Sequence, residues 1–471
     1  MIRRTALLAV PLGLLAALAC GREQAAKPSG AAPAPASAPT ASQPADLPRG
    51  LLLALSQFEV SPEGKVLPKP GPARLEILTR QGGEWKVEVL EDPDSNVFHK
   101  AMVYDGGILT LGGSAAKLKL WRKRDGSWQA ETLWEKDFGG KFSRMRDAEA
   151  ADLFGDGRPA LAVATHDQGV VATVRPKPAA SSPAQPAGSS PAQPAGSSPA
   201  QPAGSSPAQP AGSSPAQPAG SSGWDVKEID HEKDTFVHEI EIGDLDGDGV
   251  PEVYATPSEP NRLDGTEQKG VVTRNVPRRG EGRTVVADLG DRHAKEILVA
   301  DVDGDGRDEL YVSVEARTEG SGDQLRIAAP VEIRRYDAGT DPKGGVVIAT
   351  LDDRLCRFLT AGDVDGDGKR EIVAAAFKSG LWLLRPGPDP HQPWSVTSID
   401  RNSSGFEHAA KLADLDGDGR DELYVASDDQ GEVRRYVWRD GRFEKEVIHR
   451  RTPPGSAFTF NIEPVPVELL R

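Results

Sequence analysis

One nine-residue acidic pattern occurs four times in this chain: Asp244-Leu-Asp246-Gly-Asp248-Gly-Val250-Pro-Glu252, and again from Asp301, Asp363 and Asp414. Its carboxylates stand at positions 1, 3, 5 and 9: Asp301, Asp303, Asp305 and Glu309; Asp363, Asp365, Asp367 and Glu371; Asp414, Asp416, Asp418 and Glu422. A Gly at position 6 turns the backbone sharply, so hard oxygen ligands leave one short arc, a pattern suited to Ca2+. Asp-Gly-Asp-Gly also makes ordinary turns, but four copies in one register weigh against that. A chain of 471 residues would otherwise suggest three domains, and a repeated unit overrides that expectation.

An EF-hand closes with a bidentate Glu at position 12. Here position 12 is Ala255, Val312, Ala374 and Val425. Each loop runs instead into a short β-type segment, such as Glu309-Leu-Tyr-Val-Ser-Val and Glu371-Ile-Val-Ala-Ala-Ala. The loops therefore join strand to strand. In this they resemble the FG-GAP or VCBS repeats, the calcium-bearing blades of β-propellers such as the integrin α-subunit head. That resemblance implies about four structural Ca2+ ions, each also bound by the position-7 carbonyl of Val250, Arg307, Lys369 or Arg420.

Aligned on the loops, the chain repeats strand a, acidic loop, and strands b, c and d, with an aromatic early in strand d at Trp85, Trp128, Trp224, Trp394 and Phe443. Starts of strand a fall near His99, Arg146, His238, Lys295, Arg357, His408 and Phe460. After Phe460 no room remains for b, c and d, and the missing three stand at the other end, in Leu51–Ser56, Arg74–Thr79 and Trp85–Leu90. An all-β, seven-bladed β-propeller follows, closed by mixing N- and C-terminal strands, which removes sheet edges. Two loops have decayed: Asp152 to Ala160 lacks carboxylates at positions 3 and 9, and Asp105-Gly-Gly107 is truncated.

The formal net charge of −15 is largely calcium demand, since four bound Ca2+ would leave about −7. Nothing argues for nucleic acid. Residues 1–19 read as a secretory signal peptide ending in Ala17-Leu-Ala-Cys20, which resembles a bacterial lipobox with Cys20 as the lipidated residue. Localisation on a bacterial cell envelope by a lipid anchor follows, outer membrane favoured. Residues 20–48, rich in Ala, Pro and Ser, read as a tether of roughly 25–30 Å mean reach, and 49–471 as the propeller. Cys356, the second cysteine, reads as a packed core thiol. Five copies of Ser-Ser-Pro-Ala-Gln-Pro-Ala-Gly fill Ser181–Gly220, inside an insertion at 176–222 that interrupts one hairpin turn. Such a length costs little.

Six residues before successive loops stand His99, Arg146, His238, Lys295, Arg357 and His408, with Phe460 in the seventh place. Strand a is innermost, so these form a ring at one channel mouth, opposite the calcium face. One reading is a polar plug, neutralised by Asp147, Glu239 and Glu296; the sharper one is capture of an anionic ligand, a glycan carboxylate or a peptide terminus. His166, His231, His293, His391 and His449 show no metal-ligand spacing. Nucleophile-elbow, zincin, P-loop and dinucleotide signatures are absent from the sequence. A non-enzymatic binding module for protein or carbohydrate is therefore favoured over a carbohydrate-active enzyme, of polysaccharide lyase or sugar oxidoreductase type, and over a structural envelope component. The tether would join on the calcium face and leave the mouth pointing away from the membrane.

Overall fold

The computed structural model describes residues 46–113, 116–138, 143–166, 168–177, 223–257, 259–320 and 324–471. Cys20, the signal peptide, nearly all of the tether and the octapeptide copies lie outside them. Among the described residues the chain forms seven antiparallel blades around a central channel. Their inner strands are Phe98–Tyr104, Met145–Ala151, Val237–Gly243, Ala294–Ala300, Cys356–Gly362, Ala410–Ala413 and Ala457–Pro466, giving blades 1 to 7. Each touches the next around the ring, and Ala457–Pro466 touches both Phe98–Tyr104 and Ala410–Ala413.

Blade 7 joins the two ends of the chain. Ala457–Pro466 pairs with Arg49–Val60, which pairs with Ala73–Gln81, which pairs with Glu84–Asp92. This is the closure expected from the strand count.

The hydrophobic core is divided rather than central. Seven clusters are buried, one between each pair of neighbouring blades: Leu109, Leu120, Leu161 and Val163 fill the gap between blades 1 and 2, while Leu53, Leu78, Tyr424 and Ile462 fill that between blades 6 and 7. Alternation along the strands does this, since each blade buries both faces against neighbours and leaves its outermost strand half exposed. Trp224 and Trp394 sit in these clusters, and Cys356 is a buried free thiol.

Local sequence sets the turns. Asp125-Gly126 and Asp440-Gly441 adopt positive φ at both residues, the two-residue hairpin geometry that Asp-Gly favours. Asp105-Gly106 does likewise, so blade 1 replaces an acidic loop with a minimal turn. In blade 2, Val170–Pro176 pairs with Trp224–His231, and the Lys177 N–H donates to the Gly223 carbonyl at 2.8 Å. The insertion thus leaves and rejoins at one hairpin, on the acidic-loop face.

Candidate metal loops and channel mouth

The acidic loops share one construction. Position 1 accepts a backbone N–H from the position-6 glycine: Gly249 to Asp244 at 2.6 Å, Gly306 to Asp301 at 3.0 Å, Gly368 to Asp363 at 2.8 Å and Gly419 to Asp414 at 2.9 Å. The glycines at position 6 all have positive φ, from 79° to 89°. This bond folds the loop so that three aspartates converge: Asp244, Asp246 and Asp248; Asp363, Asp365 and Asp367; Asp414, Asp416 and Asp418. In blade 4, Glu309 joins Asp301, Asp303 and Asp305. Such an all-carboxylate donor set fits a hard divalent cation, and position 9 with the position-7 carbonyl would complete its coordination.

At position 9 the glutamates Glu252, Glu309, Glu371 and Glu422 open the second strand and are almost wholly buried. Each accepts the position-2 N–H, as Val302 to Glu309 at 3.1 Å. Burial pushes Glu309, Glu371 and Glu422 up to about 7; a neighbouring cation would draw them down.

Sequence reasoning missed the residues that hold these glutamates. Tyr254, Tyr311 and Tyr424 on the second strand donate to them. Facing those tyrosines across the ladder, Arg274, Arg335 and Arg435 on the third strand bridge the position-9 glutamate to the position-3 aspartate. Blade 5 has Val373 and Leu383 at those places, and Arg385, two residues on, reaches Asp365 at 2.6 Å and Glu371 at 3.3 Å instead. The decayed loop of blade 2 has Ala162 opposite Thr173. The Tyr/Arg pair is thus confined to blades with four carboxylates, and Glu-x-Tyr was its readable signal.

Position 8 joins the loops to one another. Asp308 accepts the Asp244 N–H at 2.8 Å, and Asp421 accepts that of Asp363 at 2.9 Å. Arg370 donates to the Asp301 carbonyl at 3.4 Å, and Arg49, which opens a strand of blade 7 and belongs to no acidic loop, donates to that of Asp414 at 3.3 Å. Each residue belongs to the following blade. The described chain therefore begins on the acidic-loop face.

At the opposite mouth, His99, Arg146, His238, Lys295, Arg357 and Phe460 share a backbone peculiarity. In each of these blades the pairing of the inner strand skips that residue. A bulge leaves it unpaired and re-aims its side chain, here toward a cavity of about 430 Å³ that all six line. Blade 6 differs. His408 has φ of 60° and is fully buried, donating from Nδ1 to the Ala376 carbonyl at 2.6 Å and accepting at Nε2 from Ser403 at 2.7 Å. Its inner strand starts only at Ala410. Glu407 takes the mouth position that the sequence register gave to His408.

Glu407 accepts from Arg357 at 3.0 and 3.1 Å and pairs with Arg146 at 3.5 Å. Burial would raise Glu407, but the two guanidiniums outweigh it and hold it below the usual carboxylate range. Arg146 also donates to His238 Nε2 at 2.8 Å, and His99 donates from Nδ1 to the Met145 carbonyl at 2.7 Å. Burial, and then Arg146, push both imidazoles well below their ordinary value, so they are neutral. Lys295 pairs with Glu259 at 2.8 Å. The cavity also takes in Arg144, which the sequence did not single out, and His166, which had shown only a lack of metal-ligand spacing; the His166 ring lies 6.2 Å from His99 and 6.3 Å from His238.

Below this ring lies a cavity of about 570 Å³, lined by Asp147, Glu149, Glu239, Glu241, Glu296 and Glu463 with Lys100 and Lys411. Asp147 and Glu296, expected to neutralise the ring, accept N–H groups from the next blade instead, from Ile240 at 2.9 Å and Leu359 at 2.7 Å.

Residues 363–425 match the family model of the FG-GAP-like repeat. No curated protein matches the chain. Similar solved structures include a putative 6-phosphogluconolactonase from Bacteroides fragilis NCTC 9343, at 12% identity and TM-score 0.47 over 89% of this chain and 98% of that one. Another, from Bacteroides uniformis ATCC 8492, is 11% identical at TM-score 0.48 over 89% and 100%. A protein from Lactobacillus plantarum is 8% identical at TM-score 0.49 over 88% and 99%.

Proposed function

For a seven-bladed propeller carrying an FG-GAP-like repeat, we propose a binding module: a calcium-stapled disc, lipid-anchored at Cys20 to a bacterial envelope, that takes an anionic group of a protein or glycan in the mouth opposite the metal loops. The observation that carries this is the repeated bulge. Six blades spend a ladder position to aim a side chain at one cavity. Arg146, Lys295 and Arg357 line it together with Glu259 and Glu407, which gives an anionic group cationic donors to meet inside a protein of net charge −15.

The test is a glycan and envelope-protein binding screen of the purified protein with and without calcium, repeated with Arg146→Ala and Arg357→Ala. Binding that both substitutions abolish is the expected result; binding indifferent to both removes the mouth from the mechanism.

A second reading, proton abstraction from a sugar acid, draws support from His99. Its Nδ1 bond fixes the tautomer and leaves Nε2 as the acceptor atom. Turnover of polyuronates, lost in His99→Ala, would establish it; binding without turnover leaves the module.

A further inference from the structure

Resting on the mouth as the binding site, we infer that its ligand is a carboxylated sugar, a hexuronate unit whose carboxylate meets Arg357 and whose ring lies on Phe406. Two observations place a guanidinium and an apolar face side by side. Arg357 lines the cavity with Arg146 and gives Glu407 only its Nη1, and a guanidinium is a planar fork of N–H donors that matches a carboxylate.

Phe406 lies directly against that guanidinium, 5.1 Å from Arg357 Cζ to the ring centroid. It is 42% exposed and lines the cavity. Its ring continues through Phe458 at 5.3 Å to Phe58 at 5.1 Å, and Phe58 lines the same cavity. The C–H face of a pyranose suits such a platform. Asn96, Ser56 and Glu259 on the rim offer polar atoms for hydroxyls.

Size agrees with this. About 430 Å³ falls in the range of small-molecule sites and holds one or two sugar rings, and the open mouth lets a polymer continue. A free inorganic anion would use the guanidiniums and leave the Phe406 platform without a role.

The deciding experiment is calorimetric titration of the calcium-loaded full protein with three probes: a hexuronate tetramer, the same tetramer with its carboxyls reduced to alcohols, and a tetrapeptide with a free C-terminal carboxylate. The hexuronate should bind, and carboxyl reduction should weaken it by roughly tenfold or more. Arg357→Gln should remove the binding. Phe406→Ala should weaken the hexuronate by roughly tenfold, with the melt of the variant read alongside. Equal affinity for the reduced tetramer, or none for the hexuronate, overturns the inference. If the peptide alone binds and Arg357→Gln abolishes it, the ligand class falls and the mouth stands. If no probe responds to Arg357→Gln or Phe406→Ala, both readings fall.

Discussion

At position 408 a left-handed backbone turns a histidine inward, and that single φ decides what blade 6 offers the mouth. Burial pulls His408 down to about 4 despite its hydrogen bond to Ala376. The folded state therefore prefers the neutral ring. Its stabilisation is fully present above the unfolded value near 6.5 and is lost as pH falls toward 4, about 3 kcal/mol in all. His99 and His238 act in the same direction. Urea unfolding should show stability declining from pH 6.5 to 4, with a shallower decline in His408→Gln; parallel curves for the two proteins would remove His408 as a cause. The sequence marked this position by register alone, and register counts residues without seeing their φ.

At the scale of the loop and strand, the acidic loops are joined through position 8, and the residue before each loop answers to it. Gly243 and Gly362 precede loops whose partners are Asp308 and Asp421; Ala300 and Ala413 precede those reached by Arg370 and Arg49. A Cβ at Gly362 would lie 2.4 Å from the Asp421 carboxylate. Gly362→Ala should therefore break the Asp363 N–H bond and cost about 1–3 kcal/mol, while Ala413→Gly should cost under about 1 kcal/mol; equal costs in chemical denaturation would refute the coupling. Calcium acts on the same elements. A site with a dissociation constant near 0.1 mM in about 1 mM calcium adds roughly 1.4 kcal/mol, so four sites approach a domain's whole margin. Chelation should lower the melting temperature substantially, and an unchanged melt with EDTA would end the structural role. Carboxylate spacing made these loops legible in the chain. Their Tyr and Arg partners were not, because strand pairing, rather than sequence distance, brings Arg335 to Glu309.

For the whole molecule, one buried cation reinforces the closing ladder. Arg451, between blades 6 and 7, pairs with Glu76 at 2.8 Å and Asp428 at 2.7 Å, and donates to Thr459 at 2.9 Å. It thereby fastens strand Ala73–Gln81, strand Ala457–Pro466 and blade 6 together. Burial would raise Glu76, but His449 and Arg451 pull it down to about 2. That stabilisation is present above the usual carboxylate value and lost as pH falls toward 2, while Asp428, raised by burial, offsets part of it. Arg451→Met leaves the buried Asp428 without its cation and Glu76 with only Arg74 and His449, and should cost about 3 kcal/mol, read as a lowered melt; a change within about 0.5 kcal/mol would mean that closure rests on the strand ladder alone.

What the chain determined by itself was whatever repeats locally: four acidic loops, seven strand-a starts, a missing blade split between the ends, and a hairpin able to take an insertion. Periodicity and turn chemistry act over a few residues and survive in the linear text. The tertiary structure decided what depends on neighbours from other blades. It put the bulges at the mouth, exchanged His408 for Glu407, added Arg144 and His166, and turned Asp147 and Glu296 into acceptors for the next blade. Those outcomes come from backbone groups that must find partners across a blade boundary, and no spacing in the sequence records which partner is in reach.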